Sequence, residues 1–265
     1  MSWKHSGVAA IAILIAGLFA IVSTAEDEST MTLPPEAAKA ILEGEILYDK
    51  HEDKEALDLF RKALELAPGN YDAAEKLINA LDTVGEEAKD KEKSKKFFSE
   101  ALALTERLVK RFPDDAKAHF LLARTAGLLS LTLGGQAKLL MGKRVERHAK
   151  KAIELDPKYA PGYVTLGIYY REVANLSWIT RKLAESLFGA LEGSMELSEQ
   201  TLMKAVKLAP DTIYPNYALA VTLEKEGKTR EAAKYYAKTL SLPRGERLDT
   251  RKQKNAREKL ARLFK

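Results

Sequence analysis

A helix-ending stretch recurs five times in this chain, each time closing on a proline. It reads "RKALELAP" at Pro68, "RLVKRFP" at Pro113, "KKAIELDP" at Pro157, "MKAVKLAP" at Pro210 and "KTLSLP" at Pro243. Proline lacks an N–H and cannot continue a helical ladder, so it suits the position just past a helix end. Five places before three of these prolines stands an alanine (Ala63, Ala152, Ala205), small enough to let a neighbouring helix approach closely. The intervals between the prolines are 45, 44, 53 and 33 residues. Self-similarity on this scale marks an array of short units that cannot bury an apolar face alone and must stack.

Two helical arrays compete on period alone, one of about 34 residues and one of about 40–47. The residues inside the units decide between them. Tyr163, Leu166, Gly167 and Tyr170 follow the W-x-x-L-G-x-x-Y spacing of a first helix, and Ala56, Leu57, Phe60, Ala63 and Pro68 follow that of a second. This is the tetratricopeptide repeat (TPR) pattern. The expectation is an all-α, TPR-like α-solenoid of about five helix pairs, with extended helices in the middle units. The final stretch "ERLDTRKQKNAREKLARLFK" is expected as a C-terminal capping helix.

The three longer intervals carry roughly 10–19 residues more than a standard unit. Residues 82–98, "DTVGEEAKDKEKSKKFF", read as a charged insert, and residues 127–148 lengthen the third unit around a turn at Gly134-Gly135. In the fourth unit the extra residues occupy 171–198. Leu176, Ile179, Leu183, Leu187 and Leu191 form one helical stripe there, flanked by Trp178 and Phe188, with Gly189 and Gly193 as stops. That stripe must bury on a neighbour, a ligand or a membrane, and the third or fifth unit is the expected cover.

The composition, 46% hydrophobic and 31% charged with a formal net charge of +5, excludes a disordered tail and a polytopic membrane protein. There is no cysteine, hence no disulfide, no thiolate metal site and no thiol catalysis. The N-terminus combines Lys4, an apolar run from Val8 to Val22 and small residues at Ser23 and Ala25. That is a secretory signal pattern, and the run is shorter than the roughly 20 residues of a comfortable membrane span. The expected organisation is a signal peptide (or retained anchor, residues 7–23) over 1–25, a linker over 26–36 and a TPR-like domain over 37–265. The chain is expected to be exported, periplasmic or envelope-associated.

The stretch from Gly162 to Pro243 also resembles a known family. Leu166, Gly167, Glu172, Val173, Ala174, Ser177, Trp178, Arg181, Ala184, Leu187 and Phe188 match a tryptophan-led extension found in the TPR domain of the regulator of microtubule dynamics proteins. The similarity covers roughly 116–262. It implies the fold directly and the function loosely, since folds host many functions. Eukaryotic members of that family are membrane-anchored or organelle-associated; some are linked to microtubules, and one to membrane contact sites with phospholipid binding. For an exported bacterial relative, tubulin is not expected as a partner, and a lipid or peptide role transfers more easily. Periplasmic TPR proteins that serve solute transporters offer a weaker resemblance.

TPR arrays bind on the concave face, lined by the first helix of each unit. The fifth position of successive first helices is Ile41, Glu75, Phe120, Val164 and Tyr217, and the ninth is Glu45, Asn79, Arg124, Ile168 and Val221. Phe120, Val164, Ile168, Tyr217 and Val221, with Arg124, Arg171 and Trp178, are therefore the candidate partner-binding set. An apolar lining edged by arginines suits an apolar peptide with a carboxylate, or an acyl chain with an anionic head. The alternative is that the inserts fill the groove and make these residues core.

From Arg244 to Lys265 nine basic residues stand against three acids, which suits anionic headgroups or simply a solvated cap. His5, His51, His119 and His148 show no metal-ligand spacing, and His119 reads as a packing residue. No phosphate loop, nucleophile elbow or HExxH is present, nor any nucleic-acid-binding motif. The expected function is a non-catalytic scaffold or adaptor with a protein or peptide partner and no metal or cofactor. The alternative is a carrier for a phospholipid or other hydrophobic small molecule.

Overall fold

A computed structural model describes residues 33–263; the expected signal peptide and most of the expected linker lie outside the described residues. Among the described residues the chain forms twelve α-helices and no strand. They are α1 (Pro35–Asp49), α2 (Asp53–Leu66), α3 (Tyr71–Glu87), α4 (Lys91–Arg111), α5 (Ala116–Thr132), α6 (Gly135–Leu155), α7 (Ala160–Ala174), α8 (Trp178–Phe188), α9 (Met195–Leu208), α10 (Ile213–Lys225), α11 (Thr229–Ser241) and α12 (Asp249–Arg262). The pairs α1/α2, α3/α4, α5/α6, α7/α9 and α10/α11 pack as five hairpins, and α12 closes the array against α10 and α11. This is the TPR-like α-solenoid expected from the repeats.

The proline rule is visible at every unit. α2, α4, α6, α9 and α11 each end two residues before their proline, because the residue preceding proline is driven out of the helical region. Asn70, Asp90, Asp115, Ser177 and Ser194 then start helices by accepting the N–H three residues on. The alanines before the prolines, Ala63, Ala152 and Ala205, are fully buried. Gly167 sits where an added Cβ would lie 2.6 Å from Leu202 Cγ, which is what lets α7 and α9 touch.

The extra residues lengthen helices more than loops. α4 and α6 each run 21 residues, against 14 for α2 and α9. The expected charged insert of the second unit is thus distributed over α3 and α4, with only residues 88–90 between them. Gly134 and Gly135 form the turn between α5 and α6, Gly135 taking φ +54°. α1 begins at Pro35, two residues ahead of the expected domain boundary.

The fourth unit departs from expectation. Its insert is a separate helix, α8, after a break at residues 175–177, and Gly189 ends it at φ +77°. Only Ala184 of α8 is buried. Ile179, Leu183 and Leu187 are 63%, 50% and 42% exposed, so the central part of the expected buried stripe faces outward. The stripe's ends, Leu176 and Leu191, join the apolar cluster formed by α5, α6 and α7. One helix of 11 residues docks through a single narrow face, and the small Ala184 is what that face presents.

Candidate functional site

The first helices of the five units line a single groove. From the second unit onward, every fifth- and ninth-position residue takes part: Glu75, Asn79, Phe120, Arg124, Val164, Ile168, Tyr217 and Val221 all face a cavity of about 1350 Å³. Glu45 of α1 joins them, whereas Ile41 is buried between α1 and its neighbours. The inserts do not fill the groove. α8 walls one side of it through Ala184 and Phe188, with Leu191 just beyond.

Two chemical halves meet in this cavity. Near α7, α8 and α10 the wall is aliphatic and aromatic: Leu128, Ile168, Val173, Phe188, Tyr217 and Val221. Near α1 and α3 it is polar, and its side chains tie successive first helices together. Lys76 reaches back to Glu45, Lys117 pairs with Glu75 at 2.6 Å, and Arg124 Nε donates to Asp82 at 2.9 Å. Arg124 also donates to Asn79 Oδ1 at 2.7 Å and lies over the Phe120 ring at 5.4 Å. Burial pushes the Asp82 carboxyl above the usual range, against the pull of Arg124 and Thr125.

The two candidate arginines therefore differ from expectation. Arg124 is committed to Asp82 and Asn79. Arg171 is buried and donates to Ala218 O at 3.4 Å and Thr222 Oγ1 at 3.3 Å, bridging α7 to α10. Both still line the cavity, but as cross-helix struts. Trp178 does not line it and is 75% exposed, so it is neither a groove residue nor a packing anchor.

The largest departure lies at the C-terminal end. The loop before α12 meets the first two units, closing the solenoid on itself. Arg247, with only 8% of its side chain exposed, donates to both oxygens of Asp53 and to Tyr48 O at 3.0 Å. It also bonds Glu87 and stacks over the Tyr48 ring at 4.6 Å. Burial works against its charge, but Asp53 and Glu87 more than compensate and hold it protonated. Arg251 bonds Glu86 through both its backbone carbonyl and its carboxylate. Farther along α12, Lys259 pairs with Glu224 at 2.7 Å and Lys252 lies 4.8 Å from the Tyr214 ring centre. These members of the basic C-terminal run are intramolecular clamps, not free cations awaiting headgroups.

The histidines are also paired in a way their spacing hid. His119 and His148 stack across α5 and α6, with Nδ1 to Nδ1 at 2.8 Å. Nε2 of His119 donates to Pro113 O at 2.9 Å, so its Nδ1 accepts from His148. No group of three potential metal ligands occurs among the described residues.

Comparison with known proteins agrees with this architecture. The family model described as regulator of microtubule dynamics protein 1-3 matches residues 40–264. Regulator of microtubule dynamics protein 2 of Homo sapiens is 27% identical over 211 residues, 79% of this chain and 52% of that protein. The same protein of Rattus norvegicus is 27% identical over 191 residues, 71% of this chain and 45% of that protein. The chain thus spans about half the length of these curated relatives. A crystal structure of a thermophilic TPR protein of Thermus thermophilus matches with a TM-score of 0.62 at 22% identity, over 86% of this chain and 98% of that one. That likeness concerns fold alone.

Proposed function

The chain belongs to the regulator of microtubule dynamics protein family, and from its fold and groove we propose that it is a non-catalytic scaffold holding an extended peptide segment of a partner protein. The observation that carries this reading is the two-sided lining of the groove. Glu75, Asn79 and Arg124, already bonded to one another and to neighbouring helices, make one wall polar, with Phe120 beneath Arg124, and Ile168, Tyr217 and Val221 make the other wall apolar. A peptide brings both backbone amides and apolar side chains, so it matches both walls. An acyl chain laid along the whole groove would strip water from the polar wall and return no hydrogen bonds. The volume of about 1350 Å³ also exceeds the roughly 300–1,000 Å³ of ordinary small-molecule sites.

A second reading rests on the half walled by α8. Leu128, Val173, Leu176, Phe188 and Leu191 enclose an apolar recess there, which suits the chain of a lipid or similar hydrophobic molecule. Native mass spectrometry of the purified protein separates the two readings, because a carrier retains lipid mass and a peptide scaffold does not. For the leading reading, peptides are selected from a displayed library against the full chain. Replacing Phe120 and Ile168 with Asp abolishes their binding with helical circular dichroism intact. Unchanged binding would contradict the groove as the site.

We place the protein outside the cytoplasm, at the cell envelope, on the signal pattern of residues 1–25. In that compartment tubulin is out of reach as a partner. The intact mass of protein recovered from cells checks this: a chain starting at Glu26 supports export with cleavage, and one retaining Met1 in the cytoplasm contradicts it.

A further inference from the structure

We infer that the outer face of α8, with the hairpin tip on which it sits, docks on an anionic lipid surface. Trp178, Ile179, Leu183 and Leu187 are all exposed on this one helix, and none of the four lines the groove. The helix is held down by Ala184, and by Leu191 just after its end, which share an apolar cluster with Met141, Val145 and the partly buried Leu139 of α6. The hairpin beneath α8 adds exposed Leu140 near its own tip, together with exposed Leu131, which also lines the groove. This much large apolar surface concentrated on one insert and its support marks a place of contact.

The charges around it choose the occupant. Residues 131–144 and 177–190 together carry five basic residues against one acid, Glu185. Lys143 and Arg144 are held by Glu146 and Glu106, and Arg181 by Glu185 and Leu191 O. Lys182, though paired with Glu185, remains largely exposed beside the apolar residues, and exposed Lys138 on α6 also lines the groove. A second copy of the chain packed through the same face would set two net-positive patches against each other, which disfavours it. A lipid surface with anionic headgroups accepts all three elements at once. Leucine and isoleucine enter the acyl boundary, lysines meet headgroups, and tryptophan sits at the interface between them. The helix lies on the surface and does not cross it: no helix among the described residues is long and apolar enough to span a membrane.

The test uses the full chain with Trp3→Phe, which leaves Trp178 as the sole tryptophan. Its emission is followed with vesicles of phosphatidylcholine alone and of phosphatidylcholine mixed with phosphatidylglycerol. The expected result is a blue shift on the mixed vesicles only, quenched by brominated acyl chains and weakened by salt. Lys138→Glu with Lys182→Glu is expected to lower vesicle affinity roughly tenfold or more. Ile179→Asp with Leu183→Asp, both at exposed positions, is expected to abolish the shift with unchanged helicity. Sedimentation with vesicles while Trp178 emission stays put would mean that another segment binds, and would overturn the proposal. So would emission already blue-shifted without lipid, whether in a dimer, where a second copy covers the face, or in a monomer, where residues 8–22 do. A shift produced only by a protein ligand would overturn it as well.

Discussion

The Arg247 guanidinium holds both carboxylate oxygens of Asp53, at 2.6 and 3.1 Å, across 194 positions of sequence. An open solenoid has free ends, and here the ends are joined by a charge-assisted, two-point contact beside the Glu87 carboxylate and the Tyr48 ring. The groove is consequently enclosed between the first helices and the loop that carries Arg247.

Removing the clasp is expected to loosen the array without unfolding it. Arg247→Ala deletes hydrogen bonds to charged partners, for which roughly 1–3 kcal/mol is the usual scale. The melting temperature should fall by several degrees and the radius of gyration in solution scattering should rise. Asp53→Asn should do less, because Glu87 still holds the arginine. An unchanged radius for Arg247→Ala would show that the closure does not depend on this residue.

The histidine pair makes stability depend on acid. Burial, with Arg147, His119 and Arg144 adding to it, pushes the His148 imidazole down to about 4, from about 6.5 in an unfolded chain. Between those values the unfolded chain binds a proton that the folded one refuses, so stability present above pH 6.5 is lost as pH falls toward 4. The loss is on the order of 2 kcal/mol, allowing for partial burial. Carboxylates such as Glu146 and Glu224, whose ion pairs outweigh burial and hold them low, lose stability in acid too. The check is therefore a difference: urea midpoints of wild type and His148→Gln followed from about pH 8 to about pH 4. The gap between them should narrow as pH falls. A constant gap would mean that His148 takes up its proton equally in the folded and unfolded states.

Glycine at the helix contacts is a steric requirement in this fold. A methyl group on Gly167 would lie 2.6 and 2.9 Å from Leu202 carbons and 3.3 Å from Ser198 O. Gly167→Ala is expected to cost roughly 1–3 kcal/mol by overpacking. Gly134, at φ −129° before α6, has nothing within 4 Å of an added Cβ. Gly134→Ala should change stability by no more than about 0.5 kcal/mol. Chemical denaturation of the two variants decides whether α7 and α9 pack as tightly as described.

Asp82 offers a test of the polar wall. Its Oδ2 accepts from Arg124 and from Thr125 at 2.8 Å, and it is almost fully buried. Asp82→Ala leaves a half-buried guanidinium without its counter-charge and should destabilise by roughly 1–3 kcal/mol. A double variant with Arg124→Leu should recover part of that loss. Strict additivity of the two changes would argue that the pair is not coupled.

The parts of this structure written in local chemistry were readable in the sequence. The prolines, their preceding alanines and the apolar periodicity act within a few residues, so unit ends and helix faces followed from them; the Asn, Asp and Ser caps are equally local and went unread. The groove positions followed as well, because Phe120, Arg124, Val164, Ile168, Tyr217 and Val221 recur at fixed places in the first helices. Amphipathic spacing in α8 told that Ile179, Leu183 and Leu187 share a face, but periodicity carries no information on what covers that face. The Arg247–Asp53 bond depends on the summed curvature of five units, which no local pattern encodes. His119 and His148 are an intermediate case. Placing both on facing helices of the third unit would have suggested the pair, had the longer α5 and α6 been registered against one another.

The enclosure of the groove by the meeting of the two ends is the claim on which the rest depends. The chain has no cysteine, so Lys54→Cys on α2 and Thr250→Cys on α12, both at exposed positions, give one unique pair of spin labels. Pulsed dipolar spectroscopy should return a single narrow, short distance that broadens and lengthens with Arg247→Ala. A broad, long distribution in the otherwise unaltered protein, indifferent to Arg247, would contradict the closed array.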